Sequence, residues 1–204
     1  PPGIIDKDLP KKNKYINLFN IKTLSLNNSN TKEISNFIRT YYLRNKKINY
    51  LPKHKHIIEY LKFNNHSSYI SVYRNSLDNK CIGVFSTRSI NIILKEDKLE
   101  AYYADNLCIH PKYRKQGIAP QLIQTHYYNN RHYNKNIDVC LFKREGYITA
   151  IVPLINYYTY GFKLDKIYIK NNQSYYNNLT CIKINKNNLM LLKAFIKECT
   201  INYE

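Results

Sequence analysis

The sequence is short of acidic residues: 14 Asp and Glu stand against 32 Lys and Arg, for a formal net charge of +18. Such a chain is drawn to a polyanion, whether nucleic acid, a membrane surface or a phosphorylated ligand, and charge alone does not choose among them. The wealth of Lys, Asn, Ile and Tyr matches AT-rich codons, so part of the basic excess reflects genome composition. No Cys-x-x-Cys pair occurs. The five cysteines, Cys81, Cys108, Cys140, Cys181 and Cys199, are odd in number and mostly embedded in apolar strand-like segments. They read as reduced thiols of a cytosolic protein. No apolar run is long enough to span a bilayer, and the opening PPGIIDKDLPKKNK lacks the apolar centre of a signal peptide. The first residue is not Met, which leaves the true ends of the chain open. No internal repeat or linker divides it. With 204 residues, 44% of them apolar, it is expected to form one domain over residues 15–204 behind a Pro- and Lys-rich arm at 1–14.

What is present is a set of short, clearly patterned segments. Asn30 followed by Glu33 resembles a capping box, and Ile34, Phe37, Ile38, Tyr41 and Tyr42 then share one helical face, predicting a helix over 31–44. After Pro52, HIIEYLKF predicts a second short helix with Ile57, Ile58 and Leu61 inward. SYISVYR, CIGVFSTRSINIIL and LEAYYADNLCIH read as strands joined by Asn-, Asp- and Lys-rich turns. Ala119, Leu122, Ile123, His126 and Tyr127 recur at helical spacing, predicting a helix from about Gly117 to Asn130. IDVCLF is a further strand, PLINYYTYGF a short helix, KIYIK and LTCIKI late strands, and a closing helix falls near 187–199.

The chemistry concentrates where the third strand runs into the third helix. There HPKYRKQGIAP sets Arg114, Gly117 and Ala119 in an R-x-x-G-x-A pattern. The first turn of a helix exposes unpaired N–H groups and the positive end of the helix dipole, which together suit phosphate oxygens. Small residues at Gly117 and Ala119 let a pyrophosphate approach those donors, and Pro120, lacking an N–H, is tolerated in a first turn. Taken alone, the pattern fits a solvated basic cap as well as a phosphate loop.

Its context favours the second. With an apolar strand before it and Y-x-x-x-G-F at Tyr157 to Phe162 after it, the pattern resembles the acyl-CoA site of the GCN5-related N-acyltransferase superfamily. The resemblance extends to one family. DNLCIHPKYRKQGIAPQLI is similar to the signature of eukaryotic protein N-myristoyltransferases, approximately NFLCVHKKLRSKRLAPVLI, with Leu107, Cys108, His110, Lys112, Arg114, Ala119, Pro120, Leu122 and Ile123 matching. FNIKTLSLNNSNTKEISNFIRTYYL resembles that family's first strand, the following helix and its closing tyrosine, and KCIGVFS a later strand. The likeness runs over about residues 15–165, collinear with the family's N-terminal half.

The resemblance implies an α/β fold of the GCN5-related type: a mixed, mostly antiparallel sheet with a V-shaped strand split, flanked by helices. It implies an acyltransferase, a glycylpeptide N-tetradecanoyltransferase, in which the N-terminal glycine amine of a protein attacks the thioester carbon of myristoyl-CoA. No metal is involved, and no acyl-enzyme forms. The main-chain amides at Asn106 and Leu107 are the implied oxyanion hole. Cys108, Ile109, Arg114, Lys115, Gln116, Gly117, Ile118, Ala119 and Pro120 join them in holding the cosubstrate. Tyr42, Leu43, Arg44 and Asn45 fall where the family receives its peptide.

The departures are as specific as the matches. Asn106 replaces the family's Phe, Gly117 stands where a basic residue is usual, and Leu43, Arg44 and Asn45 replace an acidic motif that helps receive a basic peptide. The family's second acyltransferase-like half has no counterpart in these residues. That half supplies much of the peptide groove and the terminal carboxylate proposed to deprotonate the ammonium. An α-amine with a pKa near ~8 needs only a modest base, and Glu204 at the end of the chain and Thr149 as a relay are the candidates. Tyr157 sits where many acetyltransferases keep the acid that protonates the thiolate, and a core aromatic fits it as well. His110 reads as structural, Cys108 as packing, and the alternating His54 and His56 as a solvated face rather than a metal site.

Two other functions compete. An acetyl-CoA-dependent N-acetyltransferase shares the phosphate loop and differs in the acyl pocket: a deep apolar channel beside the strand split fits myristoyl, a blocked one acetyl. A non-catalytic nucleic-acid-binding module fits the charge, although the tyrosines form no RNA-binding signature. The expected partners are acyl-CoA and proteins with N-terminal glycine, without stable membrane insertion. The AT-biased, compact chain points to a large DNA virus or a parasite as source, with action in the host cytosol.

Overall fold

The computed structural model describes residues 7–26, 31–43, 51–62, 68–94, 97–144, 153, 155, 156, 158, 160 and 182–201. The chain folds as two compact units, Pro1–Glu145 and Gly146–Glu204, each described by itself. The larger contains β1 (Ile21–Ser25), α1 (Thr31–Tyr41), α2 (His54–Lys62), β2 (Tyr69–Arg74), β3 (Cys81–Leu94), β4 (Asp97–Ile109), α3 (Ile118–Tyr133) and β5 (Val139–Phe142). The smaller contains α4 (Met190–Ile201) among its described residues. Pro153, Ile155, Asn156, Tyr158 and Tyr160, inside the helix expected over 153–162, carry no regular secondary structure.

The sheet has the order β1-β2-β3-β4-β5. Its first four strands pair antiparallel in chain order, as short turns dictate, and the two-residue alternation of strands sets the register. One row crosses the sheet through Ile21, Tyr73, Gly83 and Ile109. β5 returns after α3 and pairs parallel to β4, with Ala101 opposite Val139 and Ala104 opposite Phe142. Mixed, mostly antiparallel pairing is thus what the structure contains.

Each face of the sheet carries a core. On one, Ile34, Phe37 and Ile38 of α1 and Ile57 and Leu61 of α2 cover Ile70, Val72, Val84 and Cys108. Three- and four-residue spacing puts these helix side chains on one stripe, and each fully buried Leu or Ile stabilises by roughly 1.5–3 kcal/mol. α1 ends earlier than the pattern suggests: Tyr42 N–H still bonds Ile38 carbonyl at 2.9 Å, but Leu43 turns left-handed at φ 45°. Glu33 bonds Arg74 of β2 through both carboxylate oxygens, at 2.9 and 2.7 Å, tying α1 to the sheet. That hydrogen bond, before the opposing cost of burial, holds the Glu33 carboxyl below its ordinary range. Asn30, its expected capping-box partner, lies outside the described residues.

On the other face, Ile118 and Leu122 of α3 pack with Ile21, Ile82 and Phe85. A register shift between Tyr73 and Arg74 turns Ile82 toward this side. Gly83 makes the close approach possible, because a methyl there would lie 2.8 Å from Leu122 Cδ1. The start of the chain lies along α3: Asn13 Nδ2 donates to Gln124 at 3.2 Å, and Arg131 donates to the carbonyls of Lys7 and Asp8 at 2.9 and 3.4 Å.

Candidate active site

Between β3 and β4 the register slips once. Val84 faces Cys108 and Ser86 faces Asp105, so Asn106 and Leu107 together oppose Phe85. This is a β-bulge, one extra residue in β4 that bends the strand and re-aims its groups. Asn106 accommodates it at φ 52°, a left-handed conformation that Asn tolerates better than most residues. Its side chain is buried and donates from Nδ2 to Ser86 Oγ at 3.0 Å, and Ser86 Oγ in turn donates to the Asp105 carbonyl at 3.2 Å.

The bulge lies just past the end of the parallel ladder. β5 pairs with β4 only as far as Ala104 and Phe142, so β4 runs on through Asp105–Ile109 beyond that ladder. Asn106 and Leu107 stand just past the end of the parallel ladder. The Asn106 N–H, however, is not vacant: it donates to Asp105 Oδ1 at 2.8 Å. Asp105 Oδ2 accepts from Tyr60 at 3.0 Å and its Oδ1 from Tyr42 at 3.4 Å. The Arg88 guanidinium lies over the Tyr60 and Tyr103 rings, 4.5 and 5.2 Å from their centroids. Burial is the main cause that raises the Tyr60 hydroxyl above its ordinary value, so it stays a donor at neutral pH. The sequence reading passed over Asp105. Its one signal is position, the acid that opens the signature segment DNLCIH.

Beyond the bulge, His110 closes the strand. Its N–H bonds Ile82 carbonyl at 2.9 Å, its Nδ1 accepts from Lys112 N–H at 3.3 Å, and its ring packs 4.6 Å from Tyr41 and 5.6 Å from Tyr113. It is structural, as its place in the sequence suggests. Lys115 and Gly117 both adopt positive φ, 62° and 75°, before α3 begins at Ile118 without a side-chain cap. Nothing lies within 4 Å of the place a Cβ would take at Gly117. The loop therefore offers open main chain at the positive end of a 16-residue helix. Pro120 and Gln116 are exposed beside it, while Ile118 contributes only backbone because its side chain is buried in the core. Arg114 anchors the turn, donating from Nε to Ile109 carbonyl at 3.0 Å and from Nη2 to Tyr41 carbonyl at 3.4 Å. Tyr42, Leu43, Leu107, Cys108, Ile109, Arg114 and Ala119 share a cavity of about 250 Å³ on this side. Cys108 is otherwise core, and burial pushes its thiol up to about 12, which disfavours the thiolate a nucleophile needs.

A second, larger cavity of about 740 Å³ opens beside the end of the β4–β5 ladder. Phe85, Tyr102, Ala104, Ile123, Tyr127 and Val139 supply much of its apolar wall, and Asp105, Asn106 and Leu107 stand at it too. One side is polar. His126 is fully buried, with Nδ1 2.8 Å from Ser71 Oγ and Nε2 2.8 Å from Thr87 Oγ1 and 2.9 Å from Asn130 Nδ2. Ser71 meets Thr23 at 2.6 Å, and Asn129 donates to Thr23 at 2.8 Å, so the chain of bonds links α3 to three strands. Desolvation lowers the His126 pKa to about 3, leaving the ring neutral. Sequence reasoning saw His126 only as part of a helical face; the signal was polar residues, Thr23, Ser71 and Thr87, on inward strand positions.

Arg44, Asn45, Thr149, Tyr157 and Glu204 lie outside the described residues. His54 turns onto Ser35 of α1, and His56 is exposed. Among the described residues no three His, Cys, Asp or Glu side chains are grouped to hold a metal ion, and no helix is long and apolar enough to cross a membrane.

Residues 5–151 match the family model described as myristoyl-CoA:protein N-myristoyltransferase, N-terminal domain. No curated protein matches the sequence. Among solved structures, the Saccharomyces cerevisiae N-myristoyltransferase with bound myristoyl-CoA aligns with a TM-score of 0.50 at 16% identity, over 70% of this chain and 34% of that one. A GNAT family acetyltransferase of Staphylococcus aureus aligns with 0.47 at 17% identity, over 71% of this chain and 100% of that one. The ribosomal-protein-alanine N-acetyltransferase of Brucella melitensis aligns with 0.47 at 16% identity, over 70% and 98%. The chain thus covers about a third of the length of the yeast enzyme, and the fold is that of the GCN5-related N-acyltransferases.

Proposed function

Because the chain belongs to the N-myristoyltransferase family, matching its N-terminal domain, we propose that it transfers a long fatty acyl group, myristoyl, from CoA to the N-terminal glycine amine of proteins. One observation carries the reading: the β4–β5 ladder ends at Ala104 and Phe142, directly before the bulge at Asn106, beside a cavity of about 740 Å³. That volume falls in the range of small-molecule sites. Its mostly apolar wall suits an alkyl chain, and no bulky side chain among the described residues fills it, as an acetyl-sized pocket requires.

The parts have distinct tasks. The α3 N-terminus with Lys115, Gly117 and Ala119 holds the phosphates of the cosubstrate, main-chain donors meeting oxygen where Gly117 leaves space. Arg114, bound to two carbonyls, fixes the loop and adds charge. Asn106 and Leu107 present their main chain at the thioester carbonyl, where hydrogen bonds to the developing oxyanion speed acyl transfer by a few kcal/mol of barrier. The amine attacks directly, consistent with a Cys108 thiol that burial keeps protonated. Tyr42 and Leu43 flank the entry for the acceptor, and Thr149, Tyr157 and Glu204 stay candidates for handling protons.

The test is direct. The protein is incubated with myristoyl-CoA or acetyl-CoA and Gly-initiated peptides, and product masses are read. A myristoylated glycine is the expected product; acetylation alone moves the assignment to an acetyltransferase, and no acylated amine removes it. Steeply salt-dependent binding of DNA or RNA without CoA binding favours the nucleic-acid module instead.

A further inference from the structure

We propose that Asp105 is the general base of this acyl transfer and the group that first receives the ammonium of the acceptor. The inference rests on the acyl-transfer reading above and adds to it a residue in place of a chain-terminal carboxylate.

The geometry narrows the choice. Two acids, Asp105 and Asp138, are among the described residues lining the large cavity. Asp138 is paired with the buried guanidinium of Arg131. His126 also lines the cavity, but both its nitrogens are engaged and burial has stripped it of basicity near neutral pH. Asp105 stands at the bulge, with Oδ1 2.8 Å from the very N–H that the reaction assigns to the thioester oxygen. An ammonium held by this carboxylate is therefore within one hydrogen bond of the electrophile, the distance a proton transfer needs.

Three donors from three elements fix that carboxylate: the Asn106 main chain of β4, Tyr60 of α2 and Tyr42 just after α1. Among the described residues, Arg88 of β3 is stacked on Tyr60, and Tyr102 and Tyr103 of β4, Tyr127 of α3, Cys140 of β5, and Lys143 and Arg144 after β5 line the same cavity. Its surroundings are thus cationic and phenolic.

Electrostatics also dictates the order of steps. A carboxylate beside a forming oxyanion opposes it. Transfer of one proton from the acceptor R–NH3+ to Asp105 makes the acid neutral and frees the Asn106 N–H. The amine lone pair then forms the C–N bond, and the carbonyl electrons move onto oxygen. Collapse of this intermediate breaks the C–S bond. The thiolate takes the second proton shed by nitrogen, giving CoA thiol and the amide, and Asp105 returns its proton to solvent.

The test compares wild type, Asp105→Asn and Asp105→Glu with one acyl-CoA and one Gly-initiated peptide, following thiol release, and measures acyl-CoA affinity by calorimetry. Asp105→Asn is expected to lose roughly 100-fold to 10,000-fold in kcat while acyl-CoA affinity changes by less than about threefold. Its residual rate should climb about tenfold per pH unit toward the acceptor amine pKa of ~8, a rise much flatter in wild type. Asp105→Glu, which keeps the carboxylate, should recover part of the rate. A folded Asp105→Asn protein that keeps kcat within about threefold overturns the base assignment alone, as does a folded Glu variant no faster than the Asn variant. A wild-type protein that acylates no amine overturns both this assignment and the reading beneath it.

Discussion

The Ser71 hydroxyl and the His126 imidazole meet at 2.8 Å inside the sheet–helix interface, and the other ring nitrogen meets Thr87 at the same distance. A buried ring with both nitrogens satisfied is a fixed strut between α3 and the sheet, and its loss strands several polar groups. His126→Ala is expected to destabilise the fold by about 2 to 4 kcal/mol, read from chemical denaturation.

The same ring sets an acid response. Its folded pKa, about 3, is below the ordinary 6.5, so between those values the unfolded chain binds the extra proton. Its contribution is full above pH 6.5 and shrinks as pH falls toward 3, by up to ~1.4 kcal/mol per pH unit. Denaturation midpoints between pH 7 and 4 measure this, and His126→Gln should flatten the slope.

Arg131 is buried and pairs with Asp138 while donating to the carbonyls of Lys135, Ile137, Lys7 and Asp8. Arg131→Ala leaves an acid and four carbonyls without their donor, at an expected cost of about 3 to 5 kcal/mol. Since two of those carbonyls belong to the start of the chain, the variant should also be cut faster by trypsin at Lys11 and Lys12. An unchanged cutting rate would mean that Arg131 does not hold this segment.

Gly117, at φ 75° with open space around it, separates two effects. Gly117→Ala should cost about 1 kcal/mol of stability through backbone conformation and weaken CoA only slightly. Gly117→Glu places an acid where phosphates are expected and should lower acyl-CoA affinity at least tenfold. Equal affinity in calorimetry contradicts the loop assignment.

Cys108 is held protonated, its thiol pushed up to about 12 by burial. Iodoacetamide at pH 8 should therefore leave it unmodified in the folded protein while acyl transfer continues, as peptide mass mapping would show. Its alkylation together with loss of activity points instead to a covalent acyl-enzyme.

The sequence determined what is local and contiguous. The face of α1 through Ile34, Phe37 and Ile38, the three antiparallel strands β2 to β4, the loop from His110 to Pro120 and the helix after Gly117 are legible because each follows from spacing, turn chemistry or a continuous signature. Burial of Cys108 and the structural role of His110 follow from the same run. The tertiary structure decided what depends on pairing between distant segments. The bulge at Asn106 exists because β3 and β4 slip by one residue, and β4 runs on past the parallel ladder because β5 stops at Phe142. Only that meeting of strands and helices brings Tyr42, Tyr60 and the Asn106 main chain onto one carboxylate, Asp105, from positions up to 63 residues away. A lone acid in a strand carries no pattern of its own; its chemistry is set by which donors the fold gathers around it.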